Sequence, residues 1–194
     1  SARGGRGGGS LVDFNRAGTP LVEIVTDPDF KTPLEAKTYC QELRSIFRYL
    51  NISDADMEKG HMRCEANISV QEADKFEIVC GKVKPLGNYK LNNKVEVKNI
   101  NSFRAVEKAL EFETKRQTEL LEQNKLWQQE TRGWDESKGE TVLQRVKENA
   151  ADYRYFPEPD IPPFHPEKIA CPKGAPLGEK ISLPELPLQK RTRF

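Results

Sequence analysis

The residues able to do chemistry in this sequence are carboxylates, amides and cations set at strand spacing. Met62, Cys64, Ala66, Ile68 and Val70 alternate with Arg63, Glu65, Asn67 and Ser69, which predicts a strand with one apolar and one polar face. Lys94 to Ile100 predicts another, with Val95 and Val97 opposite Glu96 and Lys98. Glu65 and Asn67 therefore share a face, as do Glu96 and Lys98. Glu23 is a lone carboxylate inside Leu21-Val22-Glu23-Ile24-Val25, where burial would demand a cation or a metal and a solvent-facing position would demand nothing. If these strands neighbour each other in one sheet, two or three carboxylates, an amide and several cations lie on one surface. Oxygen donors of that kind suit Mg²⁺, which takes one or two carboxylates and fills its shell with water and substrate phosphates. Arg63, Lys98, Arg132, Arg145 and Lys147 are available to neutralise phosphate charge. The plain alternative is a solvated antiparallel face with cross-strand ion pairs, and periodicity alone favours it.

Other chemistries find less support. There is no GxxxxGK[ST], and the early glycines never complete GxGxxG between a strand and a helix, which argues against P-loop and Rossmann enzymes. HExxH is absent, and with only His61 and His165 a Ser-His or Cys-His nucleophile has few ways to assemble. Cys40, Cys64, Cys80 and Cys171 form no CxxC, so reduced thiols are expected, and a zinc site from His61, Cys64, His165 and Cys171 lacks the paired short spacings such sites use.

The elements that must position the polar residues can be read from capping and period. Residues 1–10, with five glycines, read as a flexible lead-in. Leu11 to Asn15 and Leu21 to Thr26 predict a hairpin around Ala17-Gly18-Thr19-Pro20. Thr32-Pro33-Leu34-Glu35 carries an N-cap hydroxyl, a proline at the first helical position and a capping-box acceptor. The helix it starts shows an apolar stripe through Ala36, Tyr39, Cys40, Leu43, Ile46, Phe47 and Leu50, expected to face the core. Residues 71–93 read as irregular. Ser102 caps a second helix to about Gln123, burying Phe103, Val106, Leu110 and Leu121, and strands follow near Trp127 to Arg132 and Thr141 to Arg145 across a turn at Asp135 to Gly139. Trp127 and Trp134 read as packing. Nine prolines between Pro157 and Pro187 predict sparse regular structure there. The sum is an α+β fold on a mainly antiparallel sheet with flanking helices.

Composition sets the outer bounds. The 194 residues suit one domain, or one and a half at most. Leu, Ile, Val and Phe together are 45 of 194, about 23%, enough for a modest core. A formal charge of +1 gives no global field to steer nucleic acid, so DNA is not an expected partner and any RNA contact must be local. No apolar run approaches the ~18 residues of a membrane span, and no signal-peptide core is present, so a soluble intracellular protein without membrane partners is expected.

Five ordered segments carry a specific resemblance: VDFNRAGTPLVEIVTDPD, MEKGHMRCEANISV, KVEVKNINSFRAVEKALEFE, QETRGWDESKG and DYRYFPEPDIPP. Together they resemble the B-subunit family of aspartyl/glutamyl-tRNA amidotransferases, across Leu11 to Pro163. LPELPLQKRTRF at Leu183 to Phe194 is similar to the motif that leads from that family's catalytic domain to its helical domain. The resemblance implies residues 11–163 as part of the catalytic domain and 164–194 as a Pro-rich segment leading out of it. It implies a fold like glutamine synthetase, with metal and nucleotide on an antiparallel sheet.

The implied activity uses ATP and Mg²⁺ to phosphorylate the side-chain carboxylate of glutamate or aspartate misacylated on tRNA, for ammonia from an amidase subunit to displace the phosphate. A small third subunit completes the implied assembly, placed in the bacterial cytoplasm or an organellar matrix. Motif by motif, Glu23, Glu96 and Glu65 are the implied metal ligands, with Glu65 standing where the family usually has Asp. Glu96, Glu65 and Lys98 form the implied catalytic set, and Arg63, Asn67, Arg132, Arg145 and Lys147 the implied nucleotide contacts. Glu148 and Asp152 to Phe156 match further family motifs beside the nucleotide or ammonia path. The family's upstream metal and phosphate motif and its tRNA-gripping domains lie outside the match. The chain is therefore expected to be a fragment that does not amidate tRNA alone, and a non-catalytic module that binds the other subunits is the competing class.

Overall fold

The computed structural model describes residues 11–15, 17–146, 165 and 184–193. Helix α1 spans Pro33–Tyr49 and opens as its sequence dictates. The Glu35 N–H donates to Thr32 Oγ1 at 3.2 Å, and Glu35 Oε2 accepts the N–H groups of Lys31 at 2.7 Å and Thr32 at 3.0 Å. These backbone donors hold the Glu35 carboxyl below its ordinary pKa.

The main sheet contains β1 (Cys64–Ile68), β4 (Val95–Ile100), β5 (Glu130–Asp135) and β6 (Glu140–Val146), in the order β1-β4-β5-β6. β1 pairs antiparallel with β4 and β5 with β6, but β4 and β5 run parallel. The α+β expectation holds, and the sheet, expected to be mainly antiparallel, is mixed: two of its three strand pairs are antiparallel and one is parallel. The reason lies in the connection: α2 (Phe103–Glu122) fills the interval between β4 and β5, and a helical crossover is what parallel neighbours need.

A second sheet, β2 (Phe76–Val79) with β3 (Lys82–Pro85), occupies part of the stretch read as irregular. Its turn is Cys80-Gly81, with φ of 50° and 71°. Two successive positive φ values fit a tight hairpin, but Cys in place of Asn or Asp hides the signal. The hairpin expected from Leu11 to Thr26 is absent: the described residues there form no strand and are exposed.

The core lies between the sheet and α2: Val95, Val97, Ile100, Ala105, Val106, Ala109, Leu110, Trp127 and Trp134, with Cys64, Ala66 and Ile68 packed against it. Both tryptophans pack as expected. Phe103 and Leu121 are only half-buried, whereas Glu113 and Gln117 on the same face of α2 are wholly buried. α1 lies against α2, with Lys37 Nζ 2.7 Å from Glu107 Oε2 and the Arg44 guanidinium 5.7 Å from the Phe103 ring centre. Its apolar stripe is half-buried throughout, and no residue of α1 is fully buried. A short α3, Pro187–Arg193, meets α1 through Arg191 and Glu42 at 2.7 Å.

Candidate functional site

The face of the main sheet opposite α2 carries the polar residues. On β1, Glu65 and Asn67 are exposed while Cys64, Ala66 and Ile68 turn towards the core. Asn67 pairs with Glu96 across the β1–β4 ladder. The same ladder has a bulge, since Cys64 pairs with Ile100 and Ala66 with Val97, leaving Lys98 and Asn99 opposite Glu65. Asn99 absorbs the extra residue at φ 59°, a region Asn tolerates better than most residues, and its side-chain amide donates to the Trp134 carbonyl at 3.0 Å. The bulge keeps Ile100 in the core without moving Lys98 off the polar face.

Lys98 Nζ then lies 3.0 Å from Glu65 Oε2 and 3.4 Å from Glu96 Oε1. The Glu65 carboxylate, with Glu96 behind it, pushes the Lys98 pKa up against a smaller opposing effect of burial. Glu96 is also held from β5, where Thr131 Oγ1 donates to Glu96 Oε2 at 3.0 Å. Arg145 Nε on β6 donates to Thr131 Oγ1 at 3.4 Å. A second bulge, between the Thr131–Arg145 and Arg132–Leu143 pairs, leaves Gln144 as the extra residue. Its amide lies directly over Gly133, where an added Cβ would collide with Nε2.

Of the residues singled out in the sequence, the fold gathers Glu65, Asn67, Glu96, Lys98 and Arg145 on one surface. Arg63 is exposed and directly precedes β1. Arg132 is not brought there. Its side chain turns to α2, with Nε 3.1 Å from Glu113 Oε1, Nη1 3.1 Å from Glu130 Oε1 and Nη2 2.7 Å from the Thr141 carbonyl. The physical reason is strand parity: Thr131 and Gly133 take the polar face, so Arg132 between them must take the other. Glu23 is exposed on a stretch that forms no strand, and the structure does not bring it to the cluster. Lys147, Glu148 and Asp152 to Phe156 lie outside the described residues.

Among the described residues, no three of His, Cys, Asp and Glu are grouped to hold a metal. Of the zinc set considered from the sequence, the described members His61, Cys64 and His165 form no such group: the Cys64 thiol, its pKa raised by its hydrogen bond to Cys40 and by burial, is partnered by Cys40, and Cys171 is outside the described residues. Glu65, Glu96 and the Asn67 amide oxygen form a donor set suited to a hard cation that completes its shell with water and phosphate oxygens. In the structure, the Lys98 ammonium stands between the two carboxylates. Thr131 was missed in the sequence because a threonine in a strand reads as a β-former and only the two flanking strands reveal what its hydroxyl touches.

No helix among the described residues is long and apolar enough to cross a membrane. The family described as the GatB/GatE catalytic domain matches residues 2–170. The chain is 49% identical over 187 residues to the B-subunit of the aspartyl/glutamyl-tRNA(Asn/Gln) amidotransferase of Roseiflexus castenholzii, which is 96% of this chain and 35% of that protein. It is 48% identical over 185 residues to the corresponding protein of Gloeothece citriformis, covering 95% of this chain and 34% of the relative. The Dehalococcoides mccartyi counterpart is 49% identical over 185 residues, with the same coverage of 95% and 34%. The chain thus spans about a third of the length of these relatives. With five ordered motifs, a polar sheet face and a match over most of its length, the chain belongs to the GatB/GatE catalytic-domain family.

Proposed function

We propose that this chain supplies the phosphoryl-transfer face of an ATP-dependent aminoacyl-tRNA amidotransferase. The observation that carries the proposal is the convergence of Glu65, Glu96 and Lys98, from two strands, on the exposed polar face of a family member's sheet. Phosphoryl transfer needs positioning and charge neutralisation more than covalent chemistry, and a face of carboxylates and cations is sufficient for that. Glu65, Glu96 and Asn67 would hold Mg²⁺. When bound, the ion would neutralise charge on the phosphate oxygens of ATP. Arg63, Arg145 and Lys147 would contact those phosphates, and Lys98 would neutralise charge on the transferred group. The acceptor would be the side-chain carboxylate of glutamate or aspartate misacylated on tRNA, and ammonia from an amidase subunit would displace the phosphate. That amidase, a small third subunit and the tRNA are the proposed partners, in a bacterial cytoplasm or an organellar matrix.

Glu96→Gln in the full-length subunit, assembled with its partners, tests this reading. The substitution keeps volume and one oxygen but removes the charge on which a hard cation depends. Amidation of tRNA should fall by at least about 100-fold, while glutamine hydrolysis by the amidase, measured with phosphorylation bypassed, should persist. Near-normal amidation would remove Glu96 from the site. One observation favours a second reading, a non-catalytic module that binds the other subunits: Lys98 already bridges both carboxylates as an ordinary cross-strand ion pair would. Assembly with the partners without any Mg²⁺-dependent ATP binding would support the module.

A further inference from the structure

We propose that Thr131 is a positioning residue of the polar face, its hydroxyl fixing the Glu96 carboxylate and the Arg145 guanidinium relative to one another. The inference rests on the reading of that face as a phosphoryl-transfer site. Three strands bring the group together by register alone, since Thr131 is the cross-strand partner of Glu96 on one side and of Arg145 on the other.

Thr131 is 1% exposed, so its hydroxyl has little access to solvent. A hydroxyl has one proton and can accept as well as donate. The proton is committed to Glu96 Oε2 at 3.0 Å, and the oxygen accepts from Arg145 Nε at 3.4 Å. Cation, hydroxyl and carboxylate thus form a row in which each bond polarises the next. The other Glu96 oxygen faces Lys98 Nζ at 3.4 Å, so Thr131 governs one oxygen and Lys98 the other. A β-branched side chain on a strand has little χ1 freedom, which makes this donor more rigid than a water or a long side chain would be. Fixed donors of this kind orient the groups that contact metal and phosphate.

The test uses the full-length subunit in its assembled enzyme, with Thr131→Val, which keeps the shape and removes the hydroxyl, and Thr131→Ser, which restores it. Binding of Mn²⁺·ATP, followed by electron paramagnetic resonance, gives a readout independent of turnover, and thermal melting reports the fold. Thr131→Val should weaken Mn²⁺·ATP binding or lower kcat by about 10- to 100-fold with an unchanged melt, as loss of a group that orients a ligand does. Thr131→Ser should return both to within about threefold of the parent, and Thr131→Val combined with Glu96→Gln should be no worse than Glu96→Gln alone. Normal binding and turnover in Thr131→Val, with loss in Glu96→Gln, would overturn the role of Thr131 and leave the site standing. Normal behaviour of both variants would overturn the site itself and the inference with it. Equal losses in melt and binding for Val and Ser would overturn it in favour of sheet packing.

Discussion

Lys98 shows how one side chain can be read at the residue scale. It stands between two carboxylates with a third of its side chain exposed, so its net contribution to stability is that of a partly solvated pair, under ~1 kcal/mol. Its pKa is raised above the ordinary 10.5 by Glu65 first. A raised lysine stabilises the fold fully below its unfolded pKa, and the contribution disappears as pH climbs through the folded value. The parent chain and Lys98→Met should therefore differ by a constant, small amount in denaturant melts from pH 6 to about 9, and the curves should begin to approach each other above the ordinary 10.5 and meet once pH passes the raised folded value. A difference that grew with pH would mean that the Glu65 and Glu96 contacts do not govern the residue. The alternation around Lys98 was legible in the sequence, and so was its neighbour Glu96. That Lys98 would bridge to Glu65 depended on the bulge at Asn99, which no periodicity announces.

At the scale of elements, the joint between α2 and β5 is the least expected feature. Glu113 is 0% exposed and takes Arg116 Nη2 at 2.9 Å, Arg132 Nε at 3.1 Å, Gln117 Nε2 at 3.2 Å and the Thr141 hydroxyl. Glu130 Oε1 joins Arg116 at 3.0 Å and Arg132 at 3.1 Å, so two carboxylates and two guanidinium groups share one desolvated cluster. Gln117 extends it by accepting the Val70 N–H at 2.9 Å, which ties the end of β1 to the helix. Removing one partner leaves the others buried and uncompensated, so Glu113→Ala should destabilise the chain by about 3–5 kcal/mol in a denaturant melt. Glu111→Ala, at an exposed position of the same helix, should change it by less than ~0.5 kcal/mol. Equal effects would show that the network contributes nothing beyond helix propensity. The helical period of α2 was visible in Val106 and Leu110, but Glu113 and Gln117 sit in the same stripe and read as solvent-facing until their partners from β5 and β6 are known.

For the whole molecule, the uneven distribution of burial is what matters. One face of the sheet meets α2 and forms the core, the other is polar, and the described part of the chain before α1 lies outside both. Leu11, Val12, Phe14, Leu21, Val22 and Val25 are each at least 69% exposed there. Apolar residues on an extended segment without strand pairing are open to proteases while the packed core is not. Brief chymotrypsin treatment of this chain should cut first within residues 11–25, and the product that retains α1 through β6 should melt within about 2 °C of the parent, since the lost contacts are few. Survival of that segment under conditions that cleave an unfolded control would show that it is covered in solution.

The sequence by itself determined what is local. Capping chemistry placed the start of α1 at Thr32 and of α2 at Ser102, and two-residue alternation put Glu65 with Asn67 and Glu96 with Lys98. These signals depend on neighbours within one turn or one strand, which the sequence states outright. Only the tertiary structure decided that β4 and β5 run parallel, that Thr131 stands between Glu96 and Arg145, and that Arg132 serves the buried cluster of Glu113. Those outcomes turn on register and bulges between segments far apart in the chain, where a shift of a single residue exchanges the two faces of a strand.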